Sequence, residues 1–290
     1  MSLGPFENLA ADLAPGDRRV LDADWAAFEV VAVENASDPL FEQAYERMWR
    51  EFGDRGEMER REVIAERLGW RPERPTGGRA MLYELRVVRR DDSIVAVRDH
   101  TAITTPNGAV IVHLSHVLVE PAMRGYGLAS WLRALPMQTA RRCAAAIELP
   151  EAGARPVTLV AEMEHDDGSP AVRTRLRSYA KAGFRVVDPQ RVPYQQPDFR
   201  CAAEIDRTAV QSVPLSLVVR RVGKENESRM PGDELREMTD ALYAMFGVHV
   251  RADHMSGVRA AASGFPCGRE WVSLPVPIEL AERAAREAAR

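Results

Sequence analysis

Apolar positions along the chain follow two periods. Short β-branched runs bounded by Gly, Pro, Asp or Asn occur at Phe28-Glu29-Val30-Val31-Ala32-Val33, 80–88, 94–104, 109–119 and 157–163, and each predicts a strand. Between the first two, Phe41, Tyr45, Met48, Trp49 and Phe52 recur at three and four behind Asp38-Pro39, an N-cap and first-turn proline that predict an amphipathic helix. Residues 57–68 read as a second, heavily charged helix whose charges mark a solvated face. Residues 128–142 predict a third helix, with Pro136 inside it. A missing N–H and a ring clash there cost ~3 kcal/mol, so a kink or an early stop at Leu135 is expected. Ser169-Pro170 opens a helix through Tyr179 that ends at Gly183. Strands at 184–187 and 215–219 follow, then helices at 235–246 and 278–290. The order is α/β (mixed α+β): a central mixed sheet flanked by helices, with a mostly helical C-terminal extension. A polar break at 223–228 divides the chain into an N-terminal arm (1–25), a main domain (26–222) and the extension (223–290).

Composition narrows the setting. The 290 residues suffice for one large domain or two small ones, and 39 basic against 43 acidic residues, intermixed, predict no nucleic-acid partner and no membrane surface. No apolar run approaches the ~20 residues of a membrane span, and the start lacks the charged and apolar regions of a signal peptide. Cys143, Cys201 and Cys267 are far apart, as expected of reduced thiols in a cytoplasmic protein.

The most informative stretch joins the strand ending at Val119 to the helix beginning at Leu128. It reads Glu120-Pro121-Ala122-Met123-Arg124-Gly125-Tyr126-Gly127-Leu128-Ala129. Two glycines one residue apart bare the backbone where a helix N-terminus gathers unpaired N–H groups, which makes an anion site with phosphate as the usual occupant. A dinucleotide fold would want a third glycine where Ser130 stands. It would also want a carboxylate ending the next strand, and Glu148 instead precedes a proline-bearing loop. That reading is disfavoured. Alternatively, Gly125 and Gly127 simply make a tight turn.

Arg124-Gly125-Tyr126-Gly127-Leu128-Ala129 resembles the acyl-CoA signature of the GNAT superfamily of N-acyltransferases (Arg or Gln, two residues, Gly, one residue, Gly or Ala). Downstream, Tyr179-Ala180-Lys181-Ala182-Gly183-Phe184 resembles the segment that ends the family's next helix. The resemblance covers about 26–220 and leaves the tail unexplained. It implies direct acyl transfer, acetyl by preference, from acetyl-CoA as co-substrate to a primary amine of a small-molecule or peptide acceptor. A homodimer is left open. Arg124, Gly125, Tyr126, Gly127, Leu128 and Ala129 would hold the pyrophosphate, and a backbone N–H near Leu118 or Val119 would polarise the thioester. Tyr179 would protonate the leaving thiolate. A phenol ordinarily titrates at about 10 and a thiol at about 8.5, so that transfer is uphill by roughly 2 kcal/mol and Tyr179 acts mainly as a hydrogen-bond donor. The family's frequent strand glutamate is absent; His113, Ser115 and His116 stand there. The general base is therefore open between His116 and a water relay. Glu162, Glu164, His165, Asp166 and Asp167 crowd the strand end, where acidic groups would attract a cationic amine; Glu162, within the strand, is the foremost of them, whereas Asp166 and Asp167 read mainly as a solvated loop. No metal is expected, since His113 and His116, three apart on a strand, point to opposite faces. The family's usual pantetheine-binding Asn is missing, Asp167-Gly168-Ser169-Pro170 being there instead. The competing function is a non-catalytic CoA-binding module. A third option is a tail-mediated interaction protein.

Overall fold

A computed structural model describes residues 1–147 and 156–277; the expected helix at 278–290 lies outside them. The central sheet contains β1 (Phe28–Val33), β2 (Met81–Arg90), β3 (Ser93–Thr104), β4 (Val110–Val119), β5 (Val157–Met163), β6 (Arg185–Val186) and β7 (Ser216–Arg221). Its seven strands run in the order β1-β2-β3-β4-β5-β7-β6, and β4 and β5 form the parallel pair. The mixed sheet flanked by helices is the expected fold class.

Helix α1 (Pro39–Phe52) starts as its sequence predicts, with the Asp38 carboxylate accepting from Leu40 N–H at 2.8 Å. The charged helix does not begin at 57: α2 covers only Arg61–Arg67, after a left-handed Gly56. Its charges are not all solvated either, since Glu59 and Arg67 are buried. Helix α3 (Leu128–Ala145) runs through Pro136 without stopping at Leu135. Burial of Trp131, Leu132, Leu135, Met137, Ala140 and Cys143 offsets the lost hydrogen bond, at ~1.5–3 kcal/mol per large apolar side chain. Helix α4 (Pro170–Lys181) is capped by Ser169 and ends before Gly183, whose φ of +81° is left-handed. Helices α5 (Ala202–Thr208), α6 (Gly232–Phe246) and α7 (Ser256–Ser263) follow. Of these only α6 has the apolar period that the sequence displays. Two small ribbons, Gln195–Gln196 with Val213–Pro214 and Arg229–Pro231 with Trp271–Ser273, also escape sequence reading because two or three residues show no period.

The sheet is buried on both faces. One face packs Val97, Ile103, Ile111, Leu118 and Val160 against α1, α2 and α6. Thus Leu235, Met238, Leu242 and Phe246 of the C-terminal segment share a core with the strands. The other face meets α3, α4 and the N-terminal segment. Two 3-10 turns, Gly4–Asp12 and Pro15–Asp22, carry that segment across α3. Phe6 stacks on Trp131 at 5.0 Å, and Trp25 meets the same indole edge-on at 6.1 Å.

Candidate active site

The site begins where β4 and β5 part. Their register runs from Val110↔Val157 to His113↔Val160 and then ends. Beyond it β4 stays with β3 as far as Ala96↔Val119, while β5 stays with β7 as far as Met163↔Ser216. The strands splay into a wedge whose inner edges have no neighbouring strand to satisfy their backbone groups. A cavity of about 690 Å³ fills it, reaching from Arg124, Ala129, Ser178 and Tyr179 at one end to His113, Glu162, Phe52 and Phe199 at the other.

A bulge in β4 decides which side chains enter. Asp99 pairs with His116 and Thr101 with His113, so two residues of β4, Leu114 and Ser115, stand opposite the single His100. Parity switches there: Ile111 and His113 before the bulge share a face with His116 and Leu118 after it. The two histidines therefore line one cavity, and the expectation of opposite faces fails because it assumed an unbroken alternation.

Their surroundings differ. His113 Nε2 lies 2.8 Å from Glu162 Oε2, and Ser115 Oγ lies 3.0 Å from its Nδ1. Glu162 is on β5 beside Val160, and only 8% of its side chain is exposed. Its second oxygen, Oε1, makes no close hydrogen bond to a described residue, and the Tyr194 hydroxyl interacts with the carboxylate. Tyr194 and Tyr243, stacked at 5.5 Å, back this corner. Burial, and then the Glu162 charge, push both phenols above their ordinary range, so they remain protonated. His116 instead sits over Asp99, with Nδ1 at 3.0 Å from Oδ1 and Nε2 donating to Glu57 C=O at 3.2 Å. Burial alone would lower the His116 pKa, but the Asp99 carboxylate holds it at about 9. Both ring nitrogens are thus protonated and engaged at neutral pH. Glu57 and Glu59, which the sequence suggests only as part of a solvated face, line the cavity. Across the wedge Asp166 and Asp167 cap the turn before α4, accepting from Gly168 and Ser169 N–H at 2.8 Å each.

At the other end, Glu120 N–H donates to Val95 C=O at 2.9 Å. By the alternation of an antiparallel pair, Leu118 N–H also turns to β3, while Val117 and Val119 N–H turn into the wedge. Of the two expected polarising donors, Val119 has the right direction. Arg124 Nε donates back to Val119 C=O at 3.1 Å, folding the loop over the strand end. Tyr126 is 62% exposed. The first-turn N–H groups of α3, at Leu128 and Ala129, have no intrahelical acceptor.

The two glycines of the loop serve different ends. Both are left-handed, Gly125 at φ +86° and Gly127 at +102°. Above Gly125 nothing lies within 4 Å of where a Cβ would stand, which leaves the approach to the amides open. A Cβ on Gly127 would lie 2.5 Å from Val20 Cγ1, so this glycine admits the N-terminal segment rather than a ligand. Gly127→Ala is expected to cost about 1–3 kcal/mol of overpacking beyond the left-handed penalty it shares with Gly125→Ala. Urea melts of the two variants check this, and equal losses would remove the distinction.

Tyr179, on α4, lines the cavity with Phe184 edge-on at 4.9 Å behind it and the Arg133 guanidinium 5.9 Å above its ring. Arg133 is itself anchored by Asp17 of the N-terminal segment at 2.6 Å and donates to Ser178 Oγ at 3.1 Å. Fully buried Arg98 interacts with the Tyr179 hydroxyl. Neither Asp17 nor Arg98 carries any signal in the sequence, because both act through partners distant along the chain. Among the described residues Asp206, Asp253 and His254 come close enough to share a metal ion. Arg251 already binds both carboxylates there, at 2.9 Å from Asp206 and 2.7 Å from Asp253. No helix of the described residues is long and apolar enough to cross a membrane.

No protein-family model matches the chain, and no curated protein does. Solved structures are similar to it in part. A GNAT family acetyltransferase from Elizabethkingia anophelis with acetyl-CoA bound is 12% identical over 68% of this chain and 99% of its own, with a TM-score of 0.40. Arabidopsis thaliana Naa50 in complex with a bisubstrate analogue is 11% identical over 67% and 98%, with a TM-score of 0.40. Ard1 from Thermoplasma volcanium is 14% identical over 67% and 97%, at 0.39. At that distance the likeness carries no argument about activity.

Proposed function

We propose that the protein is a GNAT-type N-acyltransferase moving an acyl group, acetyl in the simplest case, from acyl-CoA to a primary amine of a small-molecule or peptide acceptor. The observation that carries this reading is the wedge between β4 and β5. One cavity there joins an open helix-N-terminal cradle to a buried carboxylate–imidazole pair. Three parts suffice for direct transfer: a phosphate cradle, a polarising N–H, and a base facing the acceptor.

The phosphates of CoA would lie on the amides of 125–129, beside the Arg124 charge. Val119 N–H would donate to the thioester oxygen. Glu162 would take the amine proton, directly through Oε1 or by way of His113, and the amine nitrogen would then attack the carbonyl carbon. As the C–S bond breaks, the leaving thiolate would accept a hydrogen bond from the Tyr179 hydroxyl and take its proton from solvent. His116, already protonated, serves this scheme as a fixed charge and not as the base.

Acetyl-CoA with a panel of primary amines tests the function, read as free thiol released. Retention of CoA with no thiol released on any amine would replace it by the non-catalytic CoA-binding reading. For Tyr179, a hydrogen bond to a developing anion is worth ~1.5–3 kcal/mol, so Tyr179→Phe is expected to lower kcat by about 10–10²-fold with KM for acetyl-CoA little changed. Unchanged kcat removes the role.

A further inference from the structure

Behind the acceptor end of the main cavity lies a smaller one of about 80 Å³, several times the ~10–15 Å³ that a single buried water needs. Glu59 and Phe199 line both. The proposed acyl transfer uses none of the small cavity's basic groups. Four arginines, Arg60, Arg67, Arg200 and Arg251, line it against two carboxylates, Glu59 and Asp198.

The most buried of them is Arg67, at 1% exposure. Its guanidinium rests 5.3 Å from the Trp70 ring, and Nη2 meets Glu59 Oε1 at 2.5 Å. Nε and Nη1 have no hydrogen-bond partner among the described residues. His249 also lies against Trp70, parallel at 5.6 Å, and its Nε2 likewise has no partner. Burial, then the Arg67 charge, lower the His249 pKa, and its Nδ1 stands 3.7 Å from Glu66 Oε2. A buried charged N–H without an acceptor carries its full desolvation cost. Such groups in a cavity of this size call for an occupant that supplies acceptors.

The carboxylates present do not meet that demand. Glu59 Oε1 is ion-paired to Arg67 Nη2 but makes no hydrogen bond, and Asp198 is held by Arg200, whose Nη2 donates to it at 2.6 Å. Arg251 is held from outside the cavity by Asp206 and Asp253. Arg60, at the surface, has no ion pair among the described residues. Arg67 Nε and Nη1 are donors left without a partner, Glu59 Oε1 is an acceptor left over beside them, and among the lining residues four arginines stand against two carboxylates.

We propose that this cavity is a binding site for a small oxyanion of phosphate size, held by Arg67 and His249 with Arg60 nearby. The site is separate from the phosphate cradle at 125–129 and stands whether or not the protein transfers acyl groups. Inorganic phosphate is the probe, titrated into the full chain while the His249 ring resonance is followed by NMR and identified by its loss in His249→Gln. This local readout ignores phosphate that binds elsewhere. A saturable shift is expected. Arg67→Met, which keeps the stem and removes the charge, should weaken it at least ~10-fold, one charged hydrogen bond being worth about a factor of ten. Should that buried variant fail to fold, exposed Arg60→Ala supplies the same test with a smaller weakening of about threefold, as for a solvent-screened charge. No shift with phosphate means that water alone fills the cavity, and the proposal falls. It falls equally if methylammonium chloride gives the same shift, or if the phosphate affinity is unaltered in the folded arginine variants.

Discussion

Glu162→Gln is expected to lower kcat/KM for amine acylation by about 10²–10⁴-fold, the usual contribution of a positioned base. The substitution keeps the volume and one oxygen that His113 Nε2 can meet at 2.8 Å, and removes only charge and proton affinity. Glu162 lines the cavity and meets a histidine there, whereas Glu59, which lines it too, is ion-paired to Arg67. Glu164, two residues on, is instead neutralised by Arg175. Stopped-flow or steady-state thiol release with a saturating amine gives the number. The acidic limb of the rate profile, where the base takes up its proton, should vanish in the variant. A variant within threefold of the parent, with that limb intact, would return the role to water.

Asp99→Asn should cost about 3 kcal/mol of stability at pH 6, and progressively less as pH rises to 9. Asp99 and His116 are both buried, and the carboxylate also receives the Tyr83 hydroxyl at 3.0 Å. His116 is held at about 9, against an ordinary value near 6.5. A folded-state value above the unfolded one stabilises the fold fully below about 6.5, and that stabilisation is lost as pH climbs through about 9. For Asp99 burial alone would raise the pKa, but the imidazolium holds it at about 2. That contribution is present above the unfolded value near 3.9 and is lost as pH falls through about 2. The two describe one interaction from its two ends and are not added. A difference of about 2.5 between His116 values, at 1.36 kcal/mol each, yields the ~3 kcal/mol, at the lower edge of the ~3–5 expected for breaking a buried pair. Urea melts at pH 6, 7.5 and 9 check it. A loss of equal size at all three would mean that Asp99 acts by packing and not by charge.

These expectations draw unequally on sequence and structure. Strands at 28–33, 80–88, 94–104, 109–119 and 157–163 were legible because each is a bounded apolar run. Helices 39–52 and 170–181 were legible because a cap, a first-turn proline and an apolar stripe coincide. Residues 57–60 and the short ribbons were not, since they are held by contacts remote along the chain. Pro136 misleads for the same reason: a local penalty of ~3 kcal/mol is smaller than the burial that surrounds it.

By itself the sequence determined the backbone geometry of the 124–127 loop, because Arg124-Gly125-Tyr126-Gly127 needs only a strand before it and a helix after it to aim its amides at one point. Local conformation encodes that much, and local conformation can be read in order. Only the tertiary structure decided the opposite end of the cavity. A bulge opposite His100 puts His113 and His116 on one face, and the parting of β4 from β5 brings Glu162 to His113 across 49 residues of chain. Which histidine is charged then follows from Asp99 on a third strand. Those are properties of strand pairing and burial, and neither exists until the sheet has formed.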